Sequence, residues 1–187
     1  MRTFVAVSLP RENLVRVADW IRKLRELDLH ARYPRTESIH LTLKFLGEIE
    51  ETQTAAISKA LETATAGKPV FNLEISIIGG FPSTTNPRVV WLGIHENGSL
   101  QSLQRSIDRS LTKCGFEREK RPFHPHLTLA RIKSRRNLDR LQSFILQEGR
   151  EAEAGSFSVE AVHLYQSSLR PSGAEYRKLS THPLEAD

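Results

Sequence analysis

The tetrapeptide His-Leu-Thr-Leu occurs twice in this chain, as His40-Leu41-Thr42-Leu43 and as His126-Leu127-Thr128-Leu129. Each copy begins a run of alternating polar and apolar residues, which is the pattern of a strand with one buried face. Side chains two positions apart on a strand project from the same face, so the histidine and threonine of each copy point one way and the leucines the other. The sequence therefore predicts two similar strands, each presenting a His–Thr pair on an apolar backing.

Strand and helix patterns alternate on both sides of these motifs. Strands are predicted at residues 3–9, 39–46, 70–78, 89–92, 126–132, 156–166 and 176–179. Helices are predicted at residues 14–24, 50–66 and 137–147, and from residue 100 to an end near Gly115. A turn-rich stretch is expected at residues 79–87, and a turn at residues 170–173. The alternation predicts a mixed α/β or α+β class, and the lack of a low-complexity linker predicts one domain over residues 1–187. The motifs lie about half the chain apart, which hints at a duplicated half with the motif strands related by an approximate two-fold axis.

The composition is that of an ordinary soluble globular protein, with 39% hydrophobic and 26% charged residues. No apolar run approaches the ~20 residues that a membrane-spanning helix needs. Residues 1–10 predict a first strand rather than a signal peptide. Cys114 is the only cysteine, which excludes an internal disulfide and favours a cytoplasmic location.

The chain is basic, with 27 Lys and Arg residues against 22 Asp and Glu residues. This balance is compatible with a phosphate-bearing partner. The densest basic segment, residues 131–136, directly follows the second motif. Two interpretations of it stay open, a solvated surface and a surface that grips an anionic substrate.

The chemistry of paired His–Thr motifs points to a phosphorus centre. Neutral imidazole accepts a proton and imidazolium donates one, with an ordinary pKa near ~6.5. Of two histidines on opposite sides of a phosphorus, one can activate water while the other protonates the leaving oxygen. The hydroxyls of Thr42 and Thr128 can donate hydrogen bonds to the non-bridging oxygens. Such a site needs no metal, no cofactor and no covalent nucleophile.

Other site chemistries fit the sequence less well. His40, His124 and His126 could supply a three-histidine metal site. However, no carboxylate lies beside them at ligand spacing, and a metal site would leave the hydroxyls of Thr42 and Thr128 without a function. Neither a Gly-x-Ser-x-Gly turn nor a phosphate-binding glycine motif is present.

Three further residues have two interpretations each. Strand parity places Lys44 on the face of His40, where it could contact phosphate or lower the pKa of that histidine, or else extend into solvent. Phe81 and Trp91 could stack against an RNA base. The apolar run at residues 89–92 favours a buried, structural Trp91 instead.

The two His-x-Thr motifs resemble those of the two-histidine phosphoesterase superfamily, and within it the RNA 2′,3′-cyclic phosphodiesterases, also called 2′-5′ RNA ligases. The resemblance extends in order along nearly the whole chain. It includes the segments Arg2–Val7, Gly80–Pro82, Val90–Gly93, Tyr165–Ser167 and Gly173–Tyr176.

This resemblance implies a bilobal α+β fold with an approximate two-fold axis, in which antiparallel sheets line a central cleft and helices lie outside. It implies hydrolysis of an RNA 2′,3′-cyclic phosphate to a 2′-phosphomonoester. It assigns His40 as the proton donor to the leaving 3′ oxygen and His126 as the base that activates water. It further assigns Thr42, Thr128 and Arg131 as phosphate ligands. The sequence alone does not distinguish acid from base, because the two motifs are chemically alike.

Arg131 conflicts with strict strand parity, which points it away from His126 and Thr128. It would reach the phosphate only if the strand bends or ends there, or through its own length; otherwise it packs elsewhere. Two alternative functions also stay open. The same site could run in reverse and join RNA ends through a 2′-5′ linkage, or the fold could serve as a non-catalytic nucleotide- or RNA-binding module.

Overall fold

The computed structural model describes residues 1–170 and 173–186. The strands in these ranges are β1 (Arg2–Ser8), β2 (Ala31–Arg32), β3 (His40–Glu48), β4 (Phe71–Phe81), β5 (Val89–His95), β6 (His126–Ile132), β7 (Glu153–Val159), β8 (Ala161–Arg170) and β9 (Gly173–Pro183). The α-helices are α1 (Arg11–Glu26), α2 (Thr54–Thr65), α3 (Ser99–Thr112) and α4 (Leu138–Gln147). Short 3₁₀ turns occur at Thr36–Ser38, Glu51–Gln53 and Gly149–Glu151.

The strands form two antiparallel sheets, with the orders β3-β1-β8-β9 and β2-β6-β5-β4-β7. The two motif strands, β3 and β6, belong to different sheets and contact each other where the sheets meet. This architecture confirms the predicted α+β class. The His–Thr pairs therefore lie on two different sheets that contact each other, and these sheets form the two walls of the candidate site.

Each sheet and the helices that pack on it form one lobe, and helices α1 and α3 each pack on the sheet that does not contain the strand preceding them. Helix α1 follows β1 along the chain but packs against β6 and β7 of the other sheet, whereas α3 follows β5 but packs against β3. Helix α2 covers β8 and β9, and α4 reaches β4 through the turn at Gly149–Glu151. Each sheet thus has one face covered by helices, and the opposite faces are left to form a cleft.

The leucines of both motifs lie in the hydrophobic core. Leu41, Leu127 and Leu129 are completely buried, and Leu43 is 3% exposed. They belong to one continuous cluster that joins residues of both sheets to the inner faces of the helices. No helix in the described part of the chain has both the length and the apolar character to cross a membrane.

The fold differs from the sequence prediction where a strand changes sheet. The single strand predicted at residues 156–166 is two strands, because the chain leaves β7 at Glu160 and enters β8 of the other sheet. An alternating pattern does not reveal such a change, since both strands bury one face. The two-residue strand β2 was too short to predict. The predicted turn at residues 170–173 includes Pro171 and Ser172, which lie outside the described residues.

Gly79 and Gly80 were predicted to form a turn but belong to β4. The reason for a glycine here is packing. A Cβ atom added at Gly79 would lie 2.3 Å from the indole of Trp91 on the neighbouring strand. The glycine lets this ring lie flat over the backbone.

Candidate active site

The two motif strands present their residues in the same way. His40 and Thr42 are half-buried on one face of β3, and His126 and Thr128 are half-buried on one face of β6, with the intervening leucines buried behind them. This confirms the placement that strand parity predicted for both pairs.

A β-bulge in β6 then reverses the parity of the residues that follow. Thr128 and Ala130 pair with successive residues of β5, so Leu129 has no partner in the ladder. Leu129 and Ala130 are both buried, and Arg131 is exposed. Since the extra residue shifts the alternation by one, Arg131 projects from the face that carries His126 and Thr128. The bulge removes the conflict between strand parity and a role for Arg131.

The same bulge occurs at Leu43 in β3, and it places Lys44 on the buried side. Lys44 is 9% exposed, forms an ion pair with Asp108, and donates a hydrogen bond of 2.7 Å from Nζ to the carbonyl oxygen of Glu117. The prediction that Lys44 shares the face of His40 is therefore wrong. Phe45 occupies that face instead, at the position that corresponds to Arg131.

The buried ion pair makes Lys44→Ala a strong test of stability. Removing Lys44 leaves the Asp108 carboxylate buried without its main counter-charge, which is expected to lower the free energy of unfolding by about 3–5 kcal/mol. Urea unfolding measures this loss. Lys59→Ala is a matched control, because its ion pair with Glu62 is exposed and should contribute less than ~1 kcal/mol. Equal losses in the two variants would contradict the structural role assigned to Lys44.

Both motif histidines are held by the same backbone contact. Nδ1 of His40 lies 2.8 Å from the carbonyl oxygen of Ser38, and Nδ1 of His126 lies 2.7 Å from that of His124. A carbonyl oxygen can only accept, so Nδ1 carries the hydrogen in each ring. In the neutral state Nε2 is then the unprotonated nitrogen, available to accept a proton.

His40 is surrounded by aromatic side chains, and the sequence did not predict these contacts. Its ring stacks on Phe4 at a centroid distance of 4.5 Å and meets the Tyr176 ring edge-on at 5.0 Å. Tyr165 stacks on Phe4 at a centroid distance of 5.3 Å, lies 6.2 Å from the His40 ring, and shares a 2.7 Å hydrogen bond with the hydroxyl of Ser8. Burial lowers the pKa of His40 to about 4, because the surround disfavours the charged imidazolium.

His126 has a less enclosed environment. The Phe81 ring meets it edge-on at a centroid distance of 5.1 Å, and Trp91 lies against Phe81 at 5.1 Å. Burial lowers the pKa of His126, and the positive charge of Arg131 adds to this effect. Trp91 is half-buried beside this face rather than sealed in the core, so both aromatics line the wall around His126.

The hydroxyls of Thr42 and Thr128 are unused within residues 1–170 and 173–186, because neither forms a hydrogen bond there. Each lies two residues from its histidine on the same face. On each sheet a free hydroxyl donor lies two residues from an imidazole, and the Arg131 guanidinium acts electrostatically on His126. Donors of this kind suit an anionic tetrahedral group.

Tyr176 connects the two walls. It comes from β9 of the sheet that carries His40, yet the Arg131 guanidinium of the other sheet acts on it electrostatically. Burial raises the pKa of the Tyr176 hydroxyl, and the positive charge of Arg131 opposes that rise. Phe4, Tyr165 and Tyr176 fall in segments that carry the family resemblance, but their chemical surroundings depend on strand pairing that a sequence does not display.

The motif histidines do not come together with other ligands as a metal site. In the described residues, no group of three or more His, Cys, Asp or Glu side chains is placed to hold a metal ion. His124 contributes its backbone carbonyl to the orientation of His126 instead.

Comparison with known proteins gives a consistent result. The sequence profile of the 2′-5′ RNA ligase superfamily matches residues 14–170. A protein of Aeropyrum pernix named RNA 2′,3′-cyclic phosphodiesterase is 38% identical over 162 residues, covering 84% of this chain and 90% of its own. A protein of the same name from Methanothermobacter thermautotrophicus is 35% identical over 187 residues, covering 98% and 99%.

Solved structures share the fold over the full length. The Thermus thermophilus protein TT0787 superposes with a TM-score of 0.82 and is 25% identical, with complete coverage of both chains. Escherichia coli LigT in complex with 3′-AMP superposes with a TM-score of 0.79 and is 28% identical, covering 98% of this chain and 97% of that one.

Proposed function

Because this chain belongs to the 2′-5′ RNA ligase superfamily, we propose that it hydrolyses 2′,3′-cyclic phosphate ends of RNA to 2′-phosphomonoesters. The observation that carries the proposal is the pair of matched His–Thr faces on β3 and β6. Each has an imidazole whose Nδ1 is held by the backbone and a threonine hydroxyl with no other partner in the described residues. The names of the Aeropyrum and Methanothermobacter relatives support the same substrate class.

In the proposed mechanism, neutral His126 takes a proton through Nε2 from the water that attacks phosphorus. His40, protonated at Nε2, gives its proton to the 3′ oxygen as the bond from phosphorus to that oxygen breaks. Thr42, Thr128 and Arg131 stabilise the negative charge on the non-bridging oxygens. The assignment of His40 as acid rests on the family resemblance. Because a pKa of about 4 leaves His40 neutral near pH 7 in the free protein, the acid role requires that the negative charge of the bound phosphate raises the pKa of this histidine.

The two histidines predict a bell-shaped pH dependence of kcat/KM. The rate falls at low pH as the base becomes protonated, and at high pH as the acid loses its proton. Burial lowers both pKa values below 6.5, that of His40 to about 4, so both limbs are expected below pH 6.5. The bound phosphate is an anion and favours imidazolium, so the bell measured for kcat should lie at higher pH.

Initial rates at saturating and limiting substrate across the pH range measure both profiles. A kcat/KM that stays constant between pH ~5 and ~8 would contradict catalysis by two titrating histidines.

The end chemistry of the product tests the proposed function. The assay supplies an oligonucleotide with a 2′,3′-cyclic phosphate and identifies the product by mass and by its resistance to a 3′-specific phosphatase. A 2′-phosphate is expected, with the same rate in EDTA. A 3′-phosphate would place the leaving oxygen on the other side, and loss of activity in EDTA would show that a metal takes part.

We further propose that the chain acts as one two-lobed domain, since α1 and α3 each pack on the sheet of the other lobe. The single Cys114 supports the cytoplasm as its location. The names of the Aeropyrum and Methanothermobacter relatives support RNA ends as its partner.

A further inference from the structure

A cavity lies behind the wall that carries His40, between helix α3 and the segment that leads into β6. Its volume is about 370 Å³, within the range of ~300–1,000 Å³ that is usual for small-molecule sites. Helix α3 lines it with Gln104, Arg105 and Asp108, and the segment lines it with Arg118, Arg121 and Phe123.

The cavity is separate from the cleft. Lys44 projects from the face of β3 opposite to His40 and forms an ion pair with Asp108, one of the residues that line the cavity. Because this ion pair joins β3 to α3, helix α3 packs on the face of β3 that is turned away from the cleft. The sheet therefore lies between the cavity and the imidazole of His40, and a ligand in the cavity would not touch the candidate active site.

A buried side-chain amide in the cavity has no partner within the fold. Gln104 is only 7% exposed, and its side chain forms no hydrogen bond in the part of the chain that the structure describes. Buried polar groups are normally hydrogen-bonded, because leaving them without a bond is costly. The amide of Gln104 can donate and accept, so it is available to a ligand in the cavity.

The cavity also has an excess of positive charge. The charge of Asp108 is already offset by its buried ion pair. The guanidinium groups of Arg105, Arg118 and Arg121 then share the cavity with one further carboxylate, that of Glu119, which leaves two positive charges unmatched. Arg105 and Arg121 form no ion pair within residues 1–170 and 173–186. A phosphomonoester has a charge of about −2 near pH 7, and guanidinium groups bind its oxygens well.

The remaining space suits an organic group attached to the phosphate, because a phosphate alone fills only a small part of this volume. Phe123 is half-buried and provides an aromatic ring at the end of the cavity-lining segment. The amide of Gln104 offers a donor beside an acceptor, which is the pattern that pairs with N6 and N7 of adenine. A nucleoside would use both groups.

We propose that this cavity is a second ligand site, which binds a nucleoside monophosphate. Arg105 and Arg121 bind the phosphate, and Gln104 and Phe123 contact the base. The site goes beyond the proposed function and does not depend on it, since none of these residues lies in the cleft.

Calorimetric titration of the full-length protein with 5′-AMP tests the proposal. Arg105→Ala and Arg121→Ala should each raise the Kd by about tenfold, the effect of one charge-assisted hydrogen bond. Gln104→Met keeps the length of the side chain without its amide, so it should raise the Kd by about fivefold. It should not lower the Tm, because the amide has no partner in the fold. Adenosine and inorganic phosphate should each bind more weakly than 5′-AMP.

Two controls locate the bound nucleotide. Arg109 is exposed on α3 and does not line the cavity, so Arg109→Ala should leave the Kd unchanged. The Thr42→Val/Thr128→Val double variant, altered only in the cleft, should bind 5′-AMP in the cavity with the wild-type Kd.

Four results would overturn the proposal. The wild-type protein could fail to bind 5′-AMP, or the Arg105 and Arg121 variants could bind it with the wild-type Kd. Loss of binding in the threonine double variant would place the nucleotide in the cleft instead. An equal Kd for inorganic phosphate and 5′-AMP would show that no nucleoside is recognised.

Discussion

His40→Ala and His126→Ala are each expected to lower kcat/KM for a 2′,3′-cyclic phosphate oligonucleotide by about 10²- to 10⁴-fold, the usual contribution of a positioned acid or base. His40→Ala removes the proton donor to the leaving oxygen, and His126→Ala removes the base that activates water. Most of the loss should appear in kcat, because neither proton transfer occurs in the ground state. Steady-state kinetics on purified variants measures it.

Two controls separate chemistry from folding. His95→Ala removes an exposed histidine at the end of β5 and should retain wild-type activity. His40→Gln keeps a polar side chain of similar length against Phe4 but cannot titrate, so it should be as inactive as His40→Ala while it unfolds at the wild-type temperature. Activity within tenfold of wild type in either alanine variant would contradict the assignment of that histidine.

Thr42→Val and Thr128→Val are expected to lower kcat by about 10²- to 10³-fold each, as loss of a single oxyanion donor does in other enzymes. Valine has nearly the shape of threonine but no hydroxyl. Neither hydroxyl serves another described group, so stability should change little, whereas the phosphate loses a hydrogen-bond donor as its charge develops. The change should fall on kcat more than on KM.

Thr63→Val is the control for this substitution, because Thr63 is exposed on α2 and its hydroxyl bonds only to the carbonyl oxygen of Lys59. It should leave kcat unchanged. A loss of less than threefold in both the Thr42 and Thr128 variants would show that the hydroxyls do not contact the phosphate in the transition state.

The sequence predicted the motif strands well because their pattern is local. Alternation over His126–Ile132 gives the bounds of β6 as the structure has them, and the faces of the His–Thr pairs follow from the same period of two. The amphipathic helices are likewise encoded in short stretches of chain, so the α+β class could be predicted without knowledge of the sheet order.

The features that sequence could not supply depend on pairing between distant segments. The bulges at Leu43 and Leu129 exist only relative to the neighbouring strand, and they decide that Arg131 enters the cleft while Lys44 leaves it. The surround of His40 is assembled from three further strands, with Tyr165 and Tyr176 more than a hundred residues away along the chain. These contacts account for the different environments of two otherwise identical motifs.

The central claim is that His40 and His126 act together on one phosphorus atom. The most direct test is kcat/KM of the His40→Ala/His126→Ala double variant beside both single variants. Groups that act as a unit show strongly non-additive losses, so the double variant should be within a few fold of the worse single variant. A double variant whose loss equals the product of the two single losses would contradict a shared reaction centre.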